Sequence, residues 1–376
     1  MPRLEVIAEG IIYRNPNPGY EYVFASHSHV VQISERELLC AYMKGQAMYA
    51  VDLEFAQARS TDGGVTWQEE PLIYDPSQDD LPYSYHDPFL GRLNDGTLII
   101  VAFRTERTDP KMPMFNEATG GVKETETVIF RSSDNGYTWS GPESPSFPPD
   151  LIITPTNTVL ELPNGQWFLP FDQWHGFDDP GPYRPRTVGL FSSDQGRTWG
   201  DAVTYADGAE QGKGFWHGKT IPLADGRLFS LYWSADMKNN LQTLPLHRNF
   251  GSPDARSWSA PEATNIPGQT NWPVDLGDGR MAAIYTNRES DTPGFFVTFS
   301  QDEGKTWDIE NQICVWDATG RDKLGVSAPD SYPRSHDTIA FGAPTSMRLL
   351  NGEILVSFWC TEMSITHIRY ARLQVV

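Results

Sequence analysis

An eight-residue segment with the pattern Ser-x-Asp-x-Gly-x-Thr-Trp occurs four times in this chain of 376 residues. The copies occupy residues 60–67, 132–139, 192–199 and 300–307, and a shortened copy occupies residues 252–258. A pattern of this length does not return four times by chance. The fold is therefore built from one structural unit that is used repeatedly.

Each conserved position of the segment has a physical role in a tight turn. A short Asp carboxylate accepts nearby backbone N–H groups, and Gly supplies a positive φ angle. The Trp gives the turn a large apolar anchor. We therefore predict that these Asp residues are structural rather than catalytic.

A second repeat consists of two short apolar runs joined by a turn, as in a β-hairpin. Six copies align, and most are followed by one of the Asp turns. They cover residues 26–39, 85–96, 154–165, 216–226, 271–279 and 341–352. Six four-stranded units of about 60 residues predict an all-β fold, a six-bladed β-propeller, with residues 1–376 as one domain.

The two ends of the chain both look like strands. Residues 4–8 and 368–373 are predicted to pair in one blade, which would remove an open sheet edge. The abundance of Gly (32), Pro (29) and aromatic residues (12%) agrees with many short strands joined by turns.

Charge and composition exclude several classes of partner. The net charge of −20 leaves no basic patch for nucleic acid or an acidic membrane surface. No secretory leader or membrane-spanning run is visible, so a cytoplasmic location is expected. The three cysteines, Cys40, Cys314 and Cys360, lack metal-ligand spacing and are expected to be buried thiols. No cofactor and no metal ligand set is predicted, and the oligomeric state is left open.

The Ser-x-Asp-x-Gly-x-Thr-Trp turns resemble the Asp boxes, or BNR repeats, of the sialidase superfamily, and the hairpin register covers essentially the whole chain. The resemblance implies a pocket on the propeller axis, built from the start of each innermost strand and from the loop after each second strand. It also implies that the Asp boxes face away from this pocket.

Two sialidase residues are missing at the positions that the resemblance assigns to them. The first arginine of the family's carboxylate-binding triad falls at His27, and the nucleophilic tyrosine falls at Ala343. The acid/base aspartate maps onto Asp52, in the loop before the first Asp turn. We therefore expect a sialidase-like protein that is not a typical sialidase.

Histidines concentrate where the pocket is expected. His27, His29, His86 and His217 lie at the openings of innermost strands, and His336 precedes the last of them. Superposition of the turns places His27 and His86 at equivalent positions. A neutral imidazole can transfer protons or bind a metal.

The loops after the second strands add polar and aromatic side chains to the same face. Aromatic rings can cover the C–H face of a sugar, and charged groups can bind its hydroxyls. The residues predicted to bind substrate are His27, His29, Arg104, Asp172, Trp174, Trp216, Arg288, His336 and Glu362.

These features predict a glycoside hydrolase that acts on the terminal residue of a glycan, with a carbohydrate substrate as its partner. The predicted catalytic residues are Asp52, His86, Asp87, His217 and Glu289. Two alternatives remain open. One is a polysaccharide lyase in which Arg104 or Arg288 neutralises a uronate while His86 or His217 abstracts a proton. The other is a glycan-binding propeller without catalysis.

Overall fold

The computed structural model describes residues 3–239, 241–320 and 339–376. The first half of the chain forms β1 (Leu4–Tyr13), β2 (Phe24–Gln32), β3 (Leu38–Gly45), β4 (Glu54–Ser60), β5 (Gln68–Glu70), β6 (Tyr83–Arg92), β7 (Leu98–Glu106), β8 (Glu126–Ser132), β9 (Ser140–Glu143), β10 (Ile152–Pro155), β11 (Leu160–Glu161), β12 (Trp167–Trp174) and β13 (Arg186–Ser192).

The second half forms β14 (Gly200–Ala206), β15 (Lys213–Pro222), β16 (Leu228–Asp236), β17 (Gln242–Gly251), β18 (Glu262–Ala263), β19 (Asn271–Gly277), β20 (Arg280–Asn287), β21 (Gly294–Ser300), β22 (Ile313–Asp317), β23 (Phe341–Arg348), β24 (Ile354–Glu362) and β25 (Ile365–Val375). Helical structure in the described residues is confined to two short 3₁₀ turns, Pro76–Gln78 and Ala209–Gln211. No helix in this part of the chain is long and apolar enough to span a membrane.

The described strands form five sheets in a propeller arrangement, which confirms the prediction of an all-β propeller. Strands β6–β9, β15–β18 and β19–β22 each form a four-stranded sheet, and β10–β14 form a five-stranded one. The eight remaining strands share one sheet. That sheet joins β2–β5 to the group of β23, β24, β25 and β1 through a single parallel pair, Phe24 with Thr366.

The predicted pairing between the two ends of the chain is present. Strand β1 lies antiparallel to β25 along its whole length, with Leu4 opposite Val375 and Tyr13 opposite Ile368. Arg3 and Val376 extend the pairing by exchanging two backbone hydrogen bonds of 2.8 and 2.9 Å. In the group formed by β23, β24, β25 and β1, the outermost strand is therefore β1, which comes from the opposite end of the chain.

The four full Asp segments adopt the same turn, which joins β4 to β5, β8 to β9, β13 to β14 and β21 to β22. In the second copy, the Oδ1 atom of Asp134 accepts hydrogen bonds from Ser132 Oγ (2.7 Å) and the Thr138 N–H (2.9 Å). Its Oδ2 atom accepts one from Thr138 Oγ1 at 2.6 Å. Gly136 has a φ of 85°, as the turn requires. The Ser, Asp and Thr side chains of this copy are thus used within the turn itself, whereas the indole N–H of Trp139 donates to Gln57 Oε1 at 3.0 Å.

Replacing Asp134 by alanine is expected to lower the free energy of unfolding by about 1 kcal/mol, because the turn loses its shared acceptor. The hydrogen bonds from Thr138 hold the pKa of Asp134 at about 2, below its usual value of 3.8. The carboxylate therefore stabilises the fold at neutral pH, and this contribution is lost as the pH falls through its folded pKa. Urea unfolding at pH 7 and pH 3 measures both effects, and an equal loss at the two pH values would contradict the account.

The inner strands of several sheets converge on a common axis. The rings of Phe89 on β6 and Trp272 on β19 lie 4.7 and 5.2 Å from the ring of His29 on β2. A cavity of about 40 Å³ lies beside them, lined also by Thr345 and Met347 of β23. The innermost strands thus bring residues distant in sequence into contact at the centre of the molecule.

Candidate active site

Four inner strands are interrupted by a bulge near their first residues. In each of them the pairing with the next strand shifts register across two residues that have no partner. The shifts lie between Ser26 and His29 on β2, His86 and Phe89 on β6, Trp216 and Lys219 on β15, and Gly342 and Thr345 on β23. In each bulge one residue has a left-handed φ of 43 to 54°. These residues are His27, Asp87, His217 and Ala343, which we call the bulge ring.

A left-handed backbone is costly for residues other than glycine, by about 1 to 3 kcal/mol each. Bulges of this kind are common beside active sites, where they redirect a side chain. A strained backbone at the same position of four separate strands indicates that the direction of these side chains matters. The bulge ring is therefore the candidate active site.

The predicted equivalence of His27 and His86 is wrong. Gln32 pairs with Leu38 and Arg92 pairs with Leu98, which aligns His27 with Asp87 instead. His86 lies one residue before the bulge and is 2% exposed.

The contacts of His86 are those of a core side chain. Its Nε2 atom lies 2.9 Å from Ser84 Oγ, and its ring stacks on Phe103 at 5.0 Å. Burial lowers the pKa of His86 to about 3, assisted by the charge of Arg107. His86 is therefore a core residue and not a candidate for proton transfer.

His27 and Asp87 form a close pair at the bulge ring. The Nε2 atom of His27 lies 3.5 Å from the Oδ1 atom of Asp87, and both side chains are about a quarter exposed (24% and 26%). Burial lowers the pKa of His27, although the charge of Asp87 acts in the opposite direction. The imidazole is therefore neutral near pH 7, and the carboxylate beside it is accessible to a ligand.

His217 is held by a buried carboxylate from the neighbouring sheet. The Oδ2 atom of Asp172, on β12, accepts the backbone N–H of His217 at 2.7 Å and lies 3.8 Å from its Nδ1 atom. The Asp172 side chain is 3% exposed, whereas that of His217 is 39% exposed. Burial raises the pKa of Asp172 above the usual range of an aspartic acid. Asp172 thus positions an imidazole that is itself accessible.

The sequence analysis missed Lys219, a buried lysine beneath the two pairs. Its Nζ atom donates a hydrogen bond to the Thr156 carbonyl at 2.6 Å and lies 4.7 and 5.0 Å from the ring centres of Phe89 and Trp272. Burial lowers its pKa, and the charges of Asp172 and Asp87 counteract this. The one available signal was its position in β15, two residues after His217. We call His27, Asp87, Asp172, His217 and Lys219 the axial cluster.

A row of aromatic rings leads to His217 and includes the predicted residues Trp174 and Trp216. Tyr183 lies 5.5 Å from Trp174 and 6.0 Å from Trp216, measured between ring centres. Trp216 lies 5.7 Å from Trp233, which stacks on His217 at 6.0 Å. The row joins β12, β15 and β16 and presents ring faces beside an accessible imidazole. Neither Tyr183 nor Trp233 was among the predicted site residues.

The two predicted arginines have different surroundings. Arg104 forms ion pairs with Asp79 (3.0 Å) and Glu126 (2.8 Å), so its charge is already used within its own sheet. Arg288 donates to the Phe341 carbonyl at 3.0 and 3.2 Å, next to the bulge of β23, and its charge acts on His27. The structure therefore brings Arg288, and not Arg104, to the axial cluster.

Asp52, Glu289 and Glu362 do not join the axial cluster through any contact that the described residues show. The exposed Asp52 accepts the backbone N–H of Gln46 at 3.1 Å, and the exposed Glu289 accepts Thr243 Oγ1 at 2.6 Å. His29 is buried beside the axial cavity next to the cluster, where burial and the charge of Lys219 lower its pKa. Glu362 lies in a separate cluster at the end of β24, and His336 lies outside the described residues.

A β-propeller with acidic and imidazole groups at the openings of its inner strands is an architecture that brings several strands to one ligand site. The chain belongs to the BNR repeat-like domain family, whose model matches residues 36–333. Comparison with curated protein sequences gives no match.

Solved structures with the same fold include both uncharacterised and glycan-acting proteins. A protein of unknown function from Dyadobacter fermentans is 19% identical, with a TM-score of 0.74 and full coverage (100%) of both chains. The Hadza microbial sialidase Hz136 is 15% identical, with a TM-score of 0.66 over 93% of this chain and 65% of that one. The α-L-arabinanase of Penicillium chrysogenum is 14% identical, with a TM-score of 0.63 over 98% of both chains. These likenesses concern the fold.

Proposed function

We propose that this chain is a single-domain, six-bladed propeller and a glycoside hydrolase that acts on the terminal residue of a glycan. The blade number is supported by the strand order. The eight-stranded sheet divides at its one parallel pair into two groups of four, which with the other four sheets makes six. The glycosidase proposal is supported by family membership and by similarity to structures described as sialidases and an arabinanase.

The observation that carries the proposal is the bulge ring. The strained positions His27, Asp87 and His217 supply one carboxylate and two imidazoles from the equivalent bulge of three different strands. A carboxylate and imidazoles held in this way can exchange protons with a bound sugar, which aromatic contacts alone cannot do.

We assign distinct roles to the two pairs. Asp87, oriented by His27, acts on the anomeric carbon, either directly or by activating water. His217, held by Asp172, exchanges the proton with the oxygen of the leaving group. His27 and Asp172 are positioning residues. The aromatic row from Trp174 to Trp233 would pack against the sugar ring.

The lyase alternative retains one supporting observation. Arg288 lies near His27, where it could neutralise a uronate, whereas Arg104 is held by Asp79 and Glu126. A screen of aryl glycosides and natural oligosaccharides separates the candidates. A hydrolase releases a saturated reducing sugar, a lyase releases an unsaturated sugar that absorbs in the ultraviolet, and a binding protein changes neither. Either of the last two outcomes would overturn the proposal.

Sialic acid is expected to be a poor substrate. The bulge ring carries His27 and Ala343, the positions at which the resemblance calls for an arginine and a tyrosine. Without them, one arm of the carboxylate clamp and the nucleophile are both missing. Release of the chromophore from an aryl sialoside should therefore stay at the background rate. Rapid release that is abolished by Asp87→Asn would show that sialosides are substrates after all.

A further inference from the structure

A second cluster of reactive side chains lies at the hairpin between β24 and β25, outside the axial cluster. Cys360 and His367 are cross-strand partners, and Glu362 lies on the same face two residues after Cys360. The Nε2 atom of His367 is 3.8 Å from Cys360 Sγ and 3.2 Å from Glu362 Oε2. One ligand atom from each of the three residues lies within 4.8 Å of the others.

We propose that Cys360, Glu362 and His367 bind a zinc ion. Zinc prefers thiolate, imidazole and carboxylate ligands in tetrahedral geometry. Metal–ligand bonds of about 2.0 to 2.3 Å place neighbouring ligand atoms about 3.4 to 3.6 Å apart. The two distances from His367 Nε2 lie within a few tenths of an ångström of this spacing. Cys360 and Glu362 lie within 4.8 Å of each other, so their side chains would have to approach by up to about 1.2 Å to complete the three-ligand set.

The orientation of His367 supports the proposal. Its Nδ1 atom lies 3.1 Å from the Ile365 carbonyl, which can only accept, so Nδ1 carries the proton. In the neutral imidazole, Nε2 is then a lone pair directed at the Cys360 thiol and the Glu362 carboxylate. A hydrogen bond from the other ring nitrogen to a backbone carbonyl is the usual support of a metal-binding histidine.

Glu362 has other partners besides His367. Its Oε1 atom accepts the indole N–H of Trp316 at 3.0 Å, and Oε2 faces both His367 and Arg369. Arg369 lies 3.3 Å from both carboxylate oxygens, so a zinc ion would have to displace this ion pair. Cys360 and His367 are buried, whereas Glu362 is a quarter exposed (25%), so an ion would enter from the Glu362 side. Binding would release the thiol proton of Cys360 to solvent.

This inference is independent of the proposed glycosidase activity. Cys360 was expected to be an inert buried thiol because no second cysteine lies at metal-ligand spacing. The ligand set instead combines two strands of a hairpin, a pattern that the linear spacing of cysteines does not reveal. Glu362, predicted to bind sugar, is assigned here to the metal.

The test uses the full chain, stripped of metal with a chelator under reducing conditions. Zinc titration against a chromophoric competitor should show one ion bound per chain with micromolar or tighter affinity. Cobalt should give a thiolate-to-metal charge-transfer absorption in the near ultraviolet. Cys360→Ser should remove this absorption and weaken zinc binding by at least about tenfold. The matched control is Cys314→Ser, which changes an exposed cysteine in β22 and should alter neither result.

Three outcomes would overturn the proposal. The first is no zinc binding by the wild-type protein at a zinc concentration of about 10⁻⁴ M, which is far above the dissociation constants of structural zinc sites. The second is no thiolate-to-cobalt absorption, and the third is unchanged zinc binding in Cys360→Ser. If Cys360→Ser fails to fold, the wild-type cobalt spectrum still decides whether a thiolate binds. Glu362→Gln, at the exposed side of the cluster, should then weaken zinc binding without loss of the fold, and unchanged zinc affinity in this variant would count against the site.

Discussion

Replacing Asp87 by asparagine is expected to lower turnover by about 10²- to 10⁴-fold, the usual cost of losing a positioned catalytic carboxylate. Asparagine tolerates a left-handed backbone, so it can keep the φ of 54° while removing the negative charge. The melting temperature should therefore change little, and the loss should appear in kcat more than in KM. The measurement is steady-state kinetics on whichever glycoside the substrate screen identifies.

The matched control is Asp278→Asn. Asp278 also has a left-handed φ, of 55°, but its side chain is 94% exposed on the turn between β19 and β20. The same chemical change there should leave turnover unaffected. Near wild-type turnover in Asp87→Asn would remove Asp87 from the catalytic machinery, and an equal loss in Asp278→Asn would show that the effect comes from the backbone.

Replacing Lys219 by methionine is expected to lower the free energy of unfolding at pH 8 by about 3 kcal/mol, since the buried carboxylate of Asp172 loses its counter-charge. Adding Asp172→Asn should restore part of this loss, because the uncompensated charge is then gone. Urea unfolding of both single variants and the double variant gives the coupling free energy. Strictly additive effects would show that Lys219 and Asp172 do not interact.

The loss caused by Lys219→Met should depend on pH. Burial raises the pKa of Asp172 in the folded protein, and removal of the lysine raises it further. A carboxyl with a raised folded pKa favours folding while it is protonated, and this contribution is lost as the pH rises through that pKa. The variant should therefore be closer to the wild type in stability at pH 5 than at pH 8. A larger difference at pH 5 would contradict the account.

The turns of this fold could be predicted from the sequence because each turn is determined by residues close together in the chain. Asp134, for example, finds all of its partners between Ser132 and Thr138. The hairpin turn at Asp95-Gly96 likewise needs only a residue with positive φ, and Gly96 has a φ of 93°. The pairing of β1 with β25 followed from the need to cover a sheet edge.

The candidate site was predicted less completely because its contacts join separate sheets. The first hairpin lacks the Asn/Asp-Gly turn on which the other five were aligned. Counting from the turns therefore placed His86, instead of Asp87, at the position equivalent to His27. Lys219 looks unremarkable in sequence, yet the charges of Asp172 and Asp87 act on it once three inner strands converge. Arg104 was expected to bind substrate, but it is paired with Asp79, and the sequence did not reveal this ion pair.

The pairing of β1 with β25 also bears on how the protein is made. Residues 4–13 leave the ribosome about 350 residues before their partners at 365–375, an interval of roughly 20 to 70 seconds at ordinary rates of synthesis. During that time the ten residues that form β1 in the folded protein have no partner from their own sheet. Closure of the ring by this pair therefore has to wait for the synthesis of β25, and until then the unpaired segment is open to chaperones or to another copy.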